Sequence, residues 1–138
     1  MYIGKEVKGM IKFELRNENP KNKKTTDCVV RALTTATGKD YYEVLKELYE
    51  LTIKTGYFMN EKRLEDKFLE KNNFVKMKQP KKYDGTKYQI GEIDKLVNKD
   101  DVVIVRCAGH LTIVKGHVLY DLWDCRYKTI NNYYIKAK

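Results

Sequence analysis

The sequence predicts an α+β protein, with helices gathered in the first half of the chain and strands in its last third. Two patterns carry that expectation. Between residues 28 and 71 apolar side chains recur at the spacing of a helix face, whereas from residue 102 onward they fall in short runs of period two or of continuous apolar character. No run of strands alternates with long helices as parallel βαβ units require, so the expected architecture is N-terminal helices packed on a C-terminal antiparallel sheet. With 138 residues, 42% of them hydrophobic, the chain fits one domain spanning residues 1–138.

The opening segment alternates weakly through Ile3, Val7, Met10, Ile11, Phe13 and Leu15 and reads as a strand or hairpin. Residues 16–24 contain no apolar side chain and read as loop. Thr25, Thr26 and Asp27 then offer capping side chains, and Val29, Ala32, Leu33 and Ala36 repeat at helical spacing up to Gly38, the expected C-terminal stop. Asp40 with Glu43 forms a capping pair for a second helix whose Tyr41, Val44, Leu45, Leu48 and Leu51 share a face, closed by Gly56. A third helix is expected from Asn60 to Lys71, a short strand from Phe74 to Lys78, a loop over residues 79–85 and a short helix from Ile90 to Val97. The strands that follow are expected at 102–105, 111–114, 118–120 and 133–135.

Composition narrows the chemistry. Three cysteines, Cys28, Cys107 and Cys125, are too few and too irregularly spaced for a disulfide scaffold, so reduced thiols are expected. Charges interrupt the opening residues, and no run approaches the roughly 20 apolar residues that cross a bilayer, which points to a cytoplasmic protein without a membrane partner. The formal net charge of +9 rests mostly on lysine. A dedicated reader of phosphate and base edges carries clustered arginine, so the charge favours solubility over nucleic-acid binding.

The candidate site begins at Cys28, because a cysteine at a helix N-terminus lies where free amides and the helix dipole favour the thiolate. Its bases are few: the chain has two histidines, His110 and His117. If Lys115-Gly116 forms a two-residue turn, Val114 faces His117, Thr112 faces Leu119 and His110 faces Asp121. A carboxylate would then fix the imidazole tautomer while the other ring nitrogen takes the thiol proton. Asp124 is the second choice for the carboxylate, since alternation turns it to the other face unless a bulge at Trp123 shifts the register. His117, against the turn, reads as a bystander.

Asp27-Cys28, Gly109-His110 and Asp121 stand in the order found in the papain-like cysteine peptidase superfamily, and the chain resembles its bacteriocin-processing double-glycine members. Residues 109–114 and 120–124 also look like a group of short phage proteins of similar pattern. The resemblance implies a papain-like fold and acyl transfer on a peptide or protein substrate, a host protein if the chain is phage-encoded. It implies no cofactor. It places Asn22 where the family has an oxyanion-stabilising Gln, on a shorter arm, and Val29 where the family commonly has Gly after its cysteine. Tyr41, Trp123 and Tyr127 are candidate cleft residues.

Two other readings compete. Cys107-Ala108-Gly109-His110 has ligand-like spacing that Cys125 could join across the hairpin, but regular pleating sends Cys107 and His110 to opposite faces, so a zinc site is disfavoured. A non-catalytic binding or inhibitor protein on the same scaffold is the stronger rival. It would use the lysine-rich segments 21–24 and 76–82, with Tyr83 and Tyr88 interleaved, against nucleic acid or a host protein.

Overall fold

A computed structural model describes residues 3–138. It contains the strand β1 (Lys12–Leu15), three helices α1 (Cys28–Thr37), α2 (Tyr41–Thr55) and α3 (Lys62–Lys71), and the strand β2 (Phe74–Met77). A 3-10 helix (Ile90–Lys95) precedes β3 (Val102–Cys107), β4 (His110–Lys115), β5 (Val118–Asp121) and β6 (Asn132–Lys136). The architecture is mixed α+β.

The strands form one six-stranded sheet in the order β1-β5-β4-β3-β6-β2. It is mixed rather than antiparallel, because β1 pairs in parallel with β5, with Phe13 opposite Leu119. The opening segment therefore joins the far edge of the C-terminal sheet. Its pairing partner lies a hundred residues away, which local alternation cannot reveal.

Each sheet face is covered. On one side Leu33, Val44, Leu48, Leu64 and Phe68 from the three helices pack with Ile104, Leu111, Ile113 and Tyr134. On the other, Ile90, Ile93 and Ile130 join Phe13 against Val103, Val105, Val114 and Leu119. Period-two alternation along β3 and β4 supplies both cores, so these strands read as apolar runs.

Helix boundaries follow capping chemistry. Gly38 (φ 72°) and Gly56 (φ 79°) adopt the left-handed conformation, and their amides close the last turns on Thr34 O and Thr52 O. Asp40 accepts the Tyr42 amide at 3.0 Å and caps α2. Asp27 behaves differently: it makes no side-chain cap on α1, because its carboxylate is drawn to Arg31, Tyr41 and Asn19. α3 begins at Lys62, two residues later than the apolar pattern implies, and the segment expected as a helix from Ile90 to Val97 is a 3-10 turn ending at Lys95. Among the described residues no helix is long and apolar enough to cross a membrane.

Candidate active site

Cys28 is the first residue of α1, where the leading amides of a helix have no intrahelical acceptor. Its thiol is half-buried, and the His110 imidazole and the Leu111 amide are the groups that favour its ionised form. His110 opens β4, immediately after the two-residue turn Ala108-Gly109, in which Gly109 takes φ 64°. The turn makes Cys107 and His110 direct cross-strand partners. Treating residues 107–110 as one pleated strand is therefore incorrect: they straddle a hairpin.

The β4–β5 hairpin also differs from the expected register. Lys115 pairs with Val118 and Val114 with Leu119, so the turn is Gly116-His117, not Lys115-Gly116. Gly116 (φ 62°) and His117 (φ 57°) are both left-handed, which matches the twist of a tight hairpin. A shift of two positions keeps every side chain on its face, so His110 and Asp121 remain neighbours, diagonal instead of opposite. His110 Nε2 lies 2.6 Å from Asp121 Oδ2. Since an ionised carboxylate only accepts, Nε2 donates and Nδ1 is the nitrogen left for the thiol. His117 turns away, its Nε2 3.2 Å from the Val97 carbonyl.

Asp121 is held from every side. Oδ2 accepts Thr112 Oγ1 at 2.7 Å in addition to His110, and Oδ1 accepts Arg31 Nη1 at 3.1 Å and the Leu122 amide at 2.7 Å. Arg31 in turn donates from Nε to Asp27 Oδ1 at 2.8 Å. Asp27 Oδ2 accepts the Tyr41 hydroxyl at 2.7 Å and Asn19 Nδ2 at 2.9 Å. The residue before the cysteine and the residue behind the histidine are thus joined through one buried guanidinium. The Trp123 ring leans on the imidazole, centroids 5.1 Å apart.

The electrostatics follow from this geometry. Burial opposes ionisation of Cys28, but the His110 hydrogen bond, the Leu111 amide and the positive charges of His110 and Arg31 outweigh it and lower the thiol pKa. Burial likewise opposes the imidazolium of His110, and hydrogen bonds to Asp121, Cys125 and Cys28 overcome it, raising its pKa. Asp121 is lowered against the same burial by His110 and Thr112. Both shifts favour the thiolate–imidazolium form over the neutral pair. Cys107, by contrast, is pushed up to about 11 by burial, and burial also raises Cys125.

Cys28 and His110 lie in the wall of a cleft of about 840 Å³. Val29, Met59, Leu122 and Trp123 give it apolar surface, and Lys24 and Lys62 belong to its exposed rim. A smaller depression, lined by Cys28, Arg31, Thr112 and Asp121, has a volume of about 10 Å³, the space of about one water.

Other expected residues fall elsewhere. Asn22 is exposed in a tight turn at φ 53°, its amide bonded to Asn19 O, and is not part of the cleft lining. Asn19 is the asparagine that reaches Asp27. Asp124 is bound to Arg126, with Oδ1 2.9 Å from Nε and Oδ2 2.7 Å from Nη2, whereas His110 bonds to Asp121. Of the three aromatic candidates, Trp123 lines the cleft, whereas Tyr41 and Tyr127 do not. The lysine-rich segment 76–82 is partly neutralised, since Lys76 pairs with Asp66 and Lys82 with Glu92.

Donor atoms of His110, Asp121 and Cys125 lie within 4.8 Å of one another, a set that replaces the Cys107, His110 and Cys125 grouping offered by sequence spacing. A cation there would have to break the His110–Asp121 bond and sit beside the Arg31 guanidinium. Four residues of the site escaped sequence reading. Arg31 stands four positions after Asp27 on α1, a legible helical pair, and Thr112 stands two after His110 on the same strand face. Glu65 and Arg106, a buried pair 2.5 Å apart in the cleft wall, are 41 residues apart and carry no local signal. Comparison of the chain with protein-family models, with curated proteins and with solved structures finds no match to any of them.

Proposed function

We propose that the protein is a papain-like cysteine hydrolase, a peptidase or a related thiol acyl hydrolase or transferase, with Cys28 as nucleophile, His110 as base and Asp121 orienting the base. One observation carries this reading: the Cys28 thiol and the His110 imidazole, itself bonded to Asp121 at 2.6 Å, share the wall of one open cleft, and His110 lowers the thiol pKa. The element order supports it as well, with cysteine opening a helix, histidine opening a strand and aspartate ending the next strand.

The chemistry runs as follows. The Cys28 thiolate attacks the carbonyl carbon of the substrate, a C–S bond forms and the carbonyl π pair moves to oxygen. The Cys28 backbone amide, outside the helix ladder, is the oxyanion donor on which this reading relies. As the tetrahedral intermediate collapses, the bond to the leaving group breaks and the imidazolium of His110 gives that group its proton. His110 then takes a proton from water, the resulting hydroxide attacks the thioester, and the C–S bond breaks to release acid and restore the thiolate. An amine in place of water gives transfer. Asp121 holds Nε2–H throughout, so Nδ1 stays directed at the reacting proton.

The test is alkylation by iodoacetamide, followed residue by residue by mass spectrometry. Cys28 is expected to react far faster than Cys107 and Cys125, and His110→Ala to slow it. Equal rates at the three thiols in folded protein would remove the basis for the proposal. A second reading, a non-catalytic binding protein on the same scaffold, is favoured by the position of Asn22 outside the cleft, which leaves the oxyanion without a side-chain donor from that residue. Fast alkylation with no trapped acyl adduct from a proteome-derived peptide library would select it.

A further inference from the structure

The exposed charged side chains that line the cleft are all of one sign. Its carboxylates are engaged, Asp27 with Arg31 at 2.8 Å and Glu65 with Arg106 at 2.5 Å. Arg31 and Arg106 are spent further on Asp121 and on the Tyr134 hydroxyl. What remains is Lys24, in the loop before α1, and Lys62, the first residue of α3. Both are exposed, and neither forms an ion pair among the described residues. They flank an apolar surface made by Val29, Met59, Leu122 and Trp123, the last 45% exposed although it is the largest apolar side chain in the chain.

Resting on the reading of Cys28 as a nucleophile, we infer that the cleft takes an acidic peptide segment, in which an apolar side chain packs on Met59 and Trp123 while flanking carboxylates pair with Lys24 and Lys62. Two exposed cations beside a low-dielectric wall concentrate anionic substrate and penalise basic ones. A neutral or cationic peptide would offer these ammonium groups no carboxylate to pair with. The same rim adds to the field that favours the thiolate, but its own effect is on what approaches the sulfur.

The experiment compares two alkylating reagents of similar size, the anion iodoacetate and the neutral iodoacetamide, at Cys28 of the full chain. In the wild type the ratio of their rates is expected to fall about tenfold in K24E/K62E at ionic strength of about 0.01 M, shrinking to a few fold at about 0.15 M, as screened Coulomb interactions require. Any change in the thiolate fraction acts on both reagents alike and cancels in the ratio. A control, K54E/K99E, removes the same net charge at exposed positions away from the cleft and should leave the ratio nearly unchanged. If iodoacetamide labels Cys28 rapidly but the ratio is the same in wild type and K24E/K62E, the acidic-substrate inference fails and the nucleophile reading stands. An equal drop in the control overturns it too, since the overall charge would then account for the preference. Slow labelling by iodoacetamide in the wild type overturns both.

Discussion

Replacing Asp121 by asparagine preserves shape while removing a charge, and the geometry around it fixes the consequence. Oδ1 accepts from Arg31 and Leu122, and Oδ2 accepts from His110, Thr112 and, at 3.8 Å, the Cys125 thiol. A carboxamide has one accepting oxygen. Arg31 and the Leu122 amide can only donate, so the oxygen stays with them and the new NH2 turns to His110 and Thr112. His110 then accepts through Nε2 and carries its proton on Nδ1, the tautomer that cannot take a proton from Cys28. The thiol reverts toward a free cysteine, pKa about 8.5, of which only about 3% is ionised at pH 7. Alkylation of Cys28 at that pH should fall by up to about 30-fold, and turnover of any acyl substrate by about 10⁴-fold, as when an orienting aspartate elsewhere becomes asparagine. Removing one member of a buried charge network costs about 3–5 kcal/mol, which at a urea slope of about 2 kcal/mol/M moves the unfolding midpoint by about 2 M. Both quantities are measured on one sample, with the buried Cys107 and Cys125 thiols as a check that the variant is folded. A folded Asp121→Asn protein whose Cys28 alkylates within twofold of the wild-type rate would refute the tautomer argument.

Four further outcomes are expected. The alkylation rate of Cys28 should reach its plateau below the pH at which a free thiol ionises, whereas Cys107, pushed up to about 11, should react only in strong alkali; coincident profiles would contradict the ion pair. Any turnover should be bell-shaped, lost on the acid side as Cys28 is protonated and on the alkaline side as His110, raised above its ordinary value, loses its proton. Asp124→Ala should lower the urea midpoint, because it removes the carboxylate bound to the buried Arg126, yet leave Cys28 alkylation unchanged; slower alkylation would return Asp124 to the site. Asp27 and Asp121 are both lowered, so the stability they contribute is complete above the ordinary carboxylate range and is lost as pH falls through their folded values. His110 is raised and has the opposite sign: its contribution is complete below its unfolded pKa and is lost as pH rises through its folded one. Asp121→Asn should therefore flatten the acid limb of a stability-pH curve measured by urea titration, and an unchanged limb would exclude Asp121 as its source.

Legibility in the sequence tracked the range of the forces involved. The helices α1 and α2 and the strands β3 to β6 were visible because capping and apolar periodicity act over a few residues, and Cys28, His110 and Asp121 were named because each stands on an element whose local pattern is strong. Even the misplaced β4–β5 turn left the site intact, since a two-residue slip preserves side-chain parity. Contacts between distant segments were not visible. Only the folded chain pairs β1 with β5, joins Asp27 to Asp121 through Arg31, sets Glu65 on Arg106, leaves Asn22 outside the cleft and gathers Lys24 and Lys62 at its rim. The physical reason is that local propensity fixes the elements and the faces they present, whereas which faces meet depends on packing and charge pairing across residues that no short window contains.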